Sequence, residues 1–198
     1  MAPSGQPVSR LVAQKVRRLP KGRPFSIRLF ATLGSANAVY KAFAQLVNRG
    51  ELVRAYPGIY MRPKRVQYVG WVFPSQKATV DLIAKQSRHT LQMHGANAVR
   101  RFGLSTQMPM VDIYYTSGAS RKIRHGKSET WLVHAPPVAI QHPGTKVGMA
   151  LSAMFYLGKD GWDTSCAAVI KKALSPDELA TLMACRMPKW MRAVLETA

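Results

Sequence analysis

A mixed α+β fold in two parts is predicted by three observations. The stretch 25–62, PFSIRLFATLGSANAVYKAFAQLVNRGELVRAYPGIYMR, reads as a short helix, a turn, a second helix and a tight two-stranded hairpin. After it, RPKRVQYVGWVFPSQ loses helical periodicity and carries Pro63 and Pro74, as a connector does. The charge then changes: residues 1–70 hold 13 Lys and Arg with Glu51 as the only acid, against 16 basic and 8 acidic residues in the remainder. A chain of 198 residues has room for two small domains. The expected organisation is a winged helix-turn-helix over 1–66, followed over 67–198 by a mixed α+β domain with a helical carboxyl end.

Each element of the first part has a chemical reason. An amino-terminal helix is signalled by Val8, Leu11, Val12, Val16 and Leu19 at helical spacing. The first helix of the pair is expected over 26–33, stopping at Gly34. Ser35 then stands where an N-cap is needed, its hydroxyl available to the free amides of the next turn, and Gly50 ends the second helix. Within that helix Val39, Phe43, Leu46 and Val47 form an apolar stripe directed at a core. The opposite side carries Asn37, Tyr40, Lys41 and Gln45, which either keep an exposed face solvated or reach base edges and phosphates from a DNA groove. ELVRA and IYMRP are β-prone runs joined by Tyr56-Pro57-Gly58, in which Pro-Gly supplies the turn geometry. Arg54, Arg62, Lys64 and Arg65 gather at the flank where a wing meets a sugar-phosphate backbone.

The charge favours a polyanionic partner. The formal net charge is +20, from 29 Lys and Arg against 9 Asp and Glu. Such an imbalance repels itself in a compact domain unless phosphate is near, and Arg17 and Arg18 join the wing residues as expected phosphate contacts. A membrane surface is the rival polyanion, but the amino-terminal helix has only small aliphatic residues on its apolar face and no aromatic anchor. No apolar run reaches 18 residues; the longest, VGMALSAMFYLG, has the length of a buried core helix. MAPSGQPVSR lacks the apolar centre of a signal peptide, so a cytoplasmic protein is expected. Cys166 and Cys185 fall in helical patterns among apolar neighbours and read as buried, reduced thiols.

In the second part, residues 78–86 and 96–102 read as helices, 111–116 and 129–135 as strands, and RKIR around Ile123 as a third strand paired through a turn at His125-Gly126. Helices follow over 144–157, 164–173, 176–185 and 188–197. Ser175-Pro176-Asp177-Glu178 is a capping box with Pro at the first helical position, and Lys171 and Lys172 close the preceding helix where its dipole favours cations.

The segment GANAVRRFGLSTQMPMVDIYYTSGASRKIR, from Gly95 to Arg124, resembles the signature of the AbiEi-like antitoxins of type IV toxin-antitoxin systems. In that family an Ala-Asn-x-hydrophobic stretch, a Gly-Leu-Ser-Thr-Gln motif and a Thr-x-Gly-x-Ser-Arg motif follow one another. Its amino-terminal winged helix ends near a Gly-x-Tyr like Gly58-Ile59-Tyr60. The resemblance covers residues 25–157. It implies a transcriptional autorepressor that binds inverted repeats in its own promoter, whose carboxy-terminal domain counters a nucleotidyltransferase toxin without forming a stable complex with it. It also singles out Ser105, Thr106 and Gln107 of the first motif, with Thr116, Ser117, Gly118, Arg121 and Arg124 of the second. The chain departs from the pattern at Pro57, where the family often has Arg, so a phosphate contact there passes to Arg54 or Arg62.

The basic run Arg121, Lys122, Arg124, His125, Lys127 beside Ser117, Gly118 and Ser120 is either a phosphate-binding nest or a solvated hairpin. The residues give an enzyme little to work with. Asp160 with Asp163 and Asp177 with Glu178 are the paired carboxylates; both are read at helix starts, where capping accounts for them. His89, His94, His125, His134 and His142 never fall at i, i+4 in a helix or beside a Cys, so no metal site and no cofactor is expected. The alternative of a nuclease-like enzyme carried by a winged helix requires a carboxylate cluster for a metal. The acids beyond residue 65 are instead scattered.

Overall fold

In a computed structural model the chain is a mixed α+β protein, described over residues 6–68, 70–72, 75–125 and 128–198. Its contacts divide it into two compact units, Met1–Ile83 with Arg124–Lys127, and Ala84–Ile123 with Ser128–Ala198.

The first unit begins with helix α1 (Val8–Arg18), which buries Val12 and Val16 as the spacing predicts. Strand β1 (Pro24–Ser26) follows, and then a 3₁₀ helix, Ile27–Leu33. The short helix expected over 26–33 is thus present from Ile27, and it is of the 3₁₀ type. Ile27, Phe30 and Leu33 recur every third residue, the repeat of a 3₁₀ helix, and Ser26 is drawn into a sheet opposite Ile59. The Ser26 hydroxyl caps the 3₁₀ helix, accepting from the Arg28 amide at 3.1 Å. Helix α2 (Ala36–Asn48) starts as predicted at Ser35, whose Oγ accepts from the Ala38 amide at 3.3 Å. It stops at Arg49, with Gly50 in the left-handed conformation at φ +71°.

Strands β2 (Val53–Tyr56) and β3 (Ile59–Met61) form the hairpin read from the sequence, and β1 adds to β3 to give a three-stranded antiparallel sheet in the order β1-β3-β2. The core joins Phe25, Phe30, Phe43 and Tyr60, with Val39, Ala42 and Leu46 from α2; Val47, expected in that stripe, is half-buried against it. The connector read from the sequence contains a second antiparallel hairpin, β4 (Lys64–Val66) with β5 (Gly70–Val72). Pro74 lies outside the described residues. Helix α3 (Gln76–Gln86) spans the division between the units.

A four-stranded sheet in the order β6-β7-β9-β8 is built from β6 (Leu91–Met93), β7 (Asp112–Thr116), β8 (Arg121–His125) and β9 (Ser128–His134), all in the second unit except Arg124 and His125 of β8. β7 and β9 run parallel, Asp112 opposite Thr130 through Thr116 opposite His134. The predicted turn at Gly126 lies outside the described residues. Helix α4 (Gly95–Arg101) packs on α5 (Lys146–Gly161), and α6 (Thr164–Ala173), α7 (Pro176–Ala184) and α8 (Lys189–Thr197) complete a helical core around Leu151, Met154, Ile170, Leu182 and Met191. The capping box forms as read: Glu178 Oε2 accepts from the Ser175 amide at 3.0 Å and Ser175 Oγ from the Glu178 amide at 3.2 Å.

Asp163 caps α6, its carboxylate accepting from the Cys166 amide at 2.8 Å. That hydrogen bond, with another from the Ser165 hydroxyl, holds its pKa below the usual carboxylate value. Asp160 is not at a helix start; it lies in the last turn of α5, which continues past a kink at Gly158, where φ is +68°. Cys185 is buried, Cys166 is half-buried, and both are free thiols.

Candidate nucleic-acid interface

The outward side of α2 is a continuous polar stripe. Asn37, Tyr40, Lys41, Ala44, Gln45 and Asn48 are all exposed, at the i, i+3, i+4, i+7, i+8, i+11 spacing that lines one face of a helix. Tyr40 is 55% exposed, an aromatic ring that contributes little to the core beneath it. The sequence alone points to four of these six positions; Ala44 carries no polar group, and Asn48 is reached by extending the same period by one turn. Ser35 is exposed at the helix start, but its hydroxyl is the cap. The preceding 3₁₀ helix adds exposed Arg28 and Leu29, neither singled out beforehand.

The charge around this face is nearly all of one sign. Glu51 is the only acid among the first 80 residues, and Arg49 pairs with it at 2.9 Å. Arg17 and Arg18 are exposed at the end of α1, and Arg54 is exposed on β2. Lys64 and Arg65, read at the flank of the first hairpin, are exposed on β4 of the second.

Arg62 has a different task. Its Nη1 donates to the carbonyls of Arg17 and Leu19, both at 2.6 Å, so it closes the end of α1, where unpaired carbonyls attract a cation. Lys15 is likewise engaged, donating to the Leu29 carbonyl and lying 5.1 Å from the centroid of the Phe30 ring.

Of the motif residues, Thr116 and Gly118 are buried, and the loop from Thr116 to Ser120 is tied to neighbouring backbone. The segment after β7 crosses the carboxyl end of β9 to reach β8, and its polar groups fasten that crossing. Ser117 Oγ accepts from the Thr90 amide at 2.9 Å, while the Ser117 amide donates to the Thr90 carbonyl at 3.1 Å. The Gly118 amide donates to Thr116 Oγ1 at 3.1 Å, and Ser120 Oγ accepts from the His134 amide at 2.8 Å. His134 Nδ1 lies 2.9 Å from the Gly118 carbonyl.

A Cβ on Gly118 would stand 2.3 Å from Nδ1 of His89, which explains glycine at that position. The Ser117 and Gly118 amides, which a phosphate nest would use, are committed to Thr90 and Thr116, so of the two readings of this basic run the nest lacks its donors at Ser117-Gly118. Arg121 is half-buried with one guanidinium nitrogen, Nη2, buried and without a hydrogen-bond partner; Arg124 is exposed. Ser105 Oγ accepts from the Gln107 amide at 3.1 Å, and Thr106 and Gln107 are exposed.

Among the described residues no group of three or more His, Cys, Asp or Glu side chains is placed to hold a metal ion, and no helix is long and apolar enough to cross a membrane. No curated protein matches the chain. A solved structure similar to it is the crystal structure of RV2827C protein from Mycobacterium tuberculosis, with 15% identity, coverage of 99% of this chain and 72% of that one, and a TM-score of 0.43. The family model for DUF6088 matches residues 11–182, and the chain thus belongs to that family, a family of unknown function.

Proposed function

We propose that the first unit is a winged helix-turn-helix and that the protein is a DNA-binding transcriptional autorepressor. The observation that carries the reading is the stripe from Asn37 to Asn48, exposed along the whole of α2, in a stretch whose single acid is already paired. Supporting it is the element order: helix, strand, 3₁₀ helix, helix and hairpin, with β1 closing the sheet on β3. An α-helix of this diameter enters a major groove, where Asn presents the donor and acceptor that match an adenine edge, and Lys and Tyr reach bases or phosphates. Ser35, Tyr40, Lys41 and Gln45 lie along the same helix, and Arg17, Arg18, Arg54, Lys64 and Arg65 supply phosphate contacts. Arg62 acts indirectly, by fixing the end of α1.

Asn37→Ala is expected to cost about 1–3 kcal/mol at the operator and much less on scrambled DNA, if Asn37 reads a base. Fluorescence anisotropy on both duplexes measures the difference; equal losses on the two would assign Asn37 to a phosphate. For Arg54→Ala the expected result is a uniform loss on every sequence, with the slope of log K against log salt reduced by about 0.9. Titrations at several salt concentrations test it, and an unchanged slope removes the hairpin from the interface.

The resemblance of 95–124 to the AbiEi-like signature extends the proposal: the operator consists of inverted repeats in the protein's own promoter, and the second unit counters a cognate nucleotidyltransferase toxin without a stable complex. Co-expression of the full chain with a nucleotidyltransferase encoded beside it tests this part. Restored growth supports an antitoxin. Continued toxicity at matched expression contradicts it and leaves the DNA-binding proposal standing.

A further inference from the structure

Between β3 and α3 the chain projects the ribbon β4–β5, in register Lys64 opposite Val72, Arg65 opposite Trp71 and Val66 opposite Gly70. Two-stranded ribbons have little stability of their own. The base of this one is tied down: Arg62, two residues before it, clamps the end of α1 and accepts on its carbonyl from the Gly22 amide at 2.9 Å. The other end carries Tyr68, 98% exposed and in the left-handed conformation at φ +71°. That conformation is uncommon for a residue with a Cβ. The fold thus holds a large aromatic ring clear of every core, on a strained turn. Lys64, Arg65 and Gln67 are exposed on the same ribbon, and no acid occurs anywhere from Leu52 to Val80.

We propose that the β4–β5 ribbon is a second DNA-contacting arm, in which Lys64 and Arg65 hold backbone phosphates and Tyr68 enters the minor groove beside the segment read by α2. The inference rests on the DNA-binding reading of α2. The minor groove is too narrow for the ribbon itself but admits a single side chain from its tip, and large apolar side chains inserted there part base steps. Charge selects the partner: a ribbon with exposed cations and no acid repels the same ribbon on a second copy and is attracted to phosphate.

The test uses the full-length protein, a duplex from the segment immediately upstream of its own reading frame, and a scrambled duplex of equal length. The wild type should give a hydroxyl-radical footprint with protection in the minor groove flanking the α2 segment. Tyr68→Ala should lose that flanking protection and bind about tenfold more weakly, Tyr68→Phe should retain both, and all three should melt alike because the ring is outside the core. Wild-type affinity and footprint in Tyr68→Ala would overturn the arm while leaving the α2 reading intact. Unchanged DNA binding with lost self-association in sedimentation would overturn it in favour of a contact between copies. Absence of discrete protection by the wild type would sink the α2 reading and the arm with it.

Discussion

Phe43→Ala is expected to destabilise the first unit by about 3–5 kcal/mol, the usual cost of truncating a buried phenylalanine. The ring is fully buried on the inward side of α2. Its centroid lies 4.9 Å from that of Phe30, 4.7 Å from that of Tyr60 and 6.3 Å from that of Phe25, so one side chain joins α2 to the 3₁₀ helix, β3 and β1. A core of this size contributes only a few kcal/mol of net stability. The substitution should therefore leave the unit largely unfolded at 37 °C and abolish the proposed DNA binding, although Phe43 is on the face opposite Asn37 and Lys41. Denaturant unfolding followed by circular dichroism checks it. A wild-type unfolding profile would show that the four rings do not form the core of the unit.

Gly95→Ala is the matching prediction for the second unit, with an expected cost at or above about 3 kcal/mol, the upper end of the usual range for overpacking. A Cβ at this position would lie 2.1 Å from Cβ of Tyr156 and 2.6 Å from the carbonyl oxygen of Ser152. Neither can rotate away, since one is the root of a side chain and the other is backbone within α5. Relief requires α4 to move off α5, which opens the contact around Ala98, Val99 and Ala150. Thermal unfolding should show the transition of the second unit shifted down by several degrees. An unshifted midpoint would contradict the close approach of α4 and α5.

The helix that carries the proposed interface was legible because its signals are local and chemical. Ser35 supplies a cap, Gly50 supplies the left-handed exit, and Val39, Phe43 and Leu46 repeat with the helical period between them. The helix over 26–33 is legible as a helix but not as a 3₁₀ helix, because Ile27, Phe30 and Leu33, three apart, fit the first turns of either type; its start is set by the pairing of Phe25 with Tyr60 and of Ser26 with Ile59. β1 and β6 escaped notice because three residues are too few to show alternation; in β6 the inward position is the polar Gln92, which donates to Ser152 at 3.1 Å. The β4–β5 ribbon resembles a connector in sequence because its turn has positive φ at Tyr68 and Gly70, a backbone property that tyrosine does not advertise.

At the sites themselves the sequence indicated the residue types better than their tasks. Arg62 looks like any wing cation until its guanidinium is seen between the carbonyls of Arg17 and Leu19. Ser117 and Gly118 look like a phosphate cradle until Thr90 is brought to them by the antiparallel pairing of β6 with β7, and His134 by the parallel pairing of β7 with β9. Long-range partners of this kind leave no local trace.

The central claim is that α2 reads DNA sequence. Its most direct test is a footprint of the purified full-length protein on the segment upstream of its own reading frame, with wild type and Lys41→Ala with Asn37→Ala compared at one salt concentration. Discrete protection by the wild type is expected, with preference for that duplex over a scrambled one, and loss of the preference in the double variant with its melting temperature unchanged. Equal binding of both duplexes by the wild type, or a double variant that retains the full preference, would contradict it.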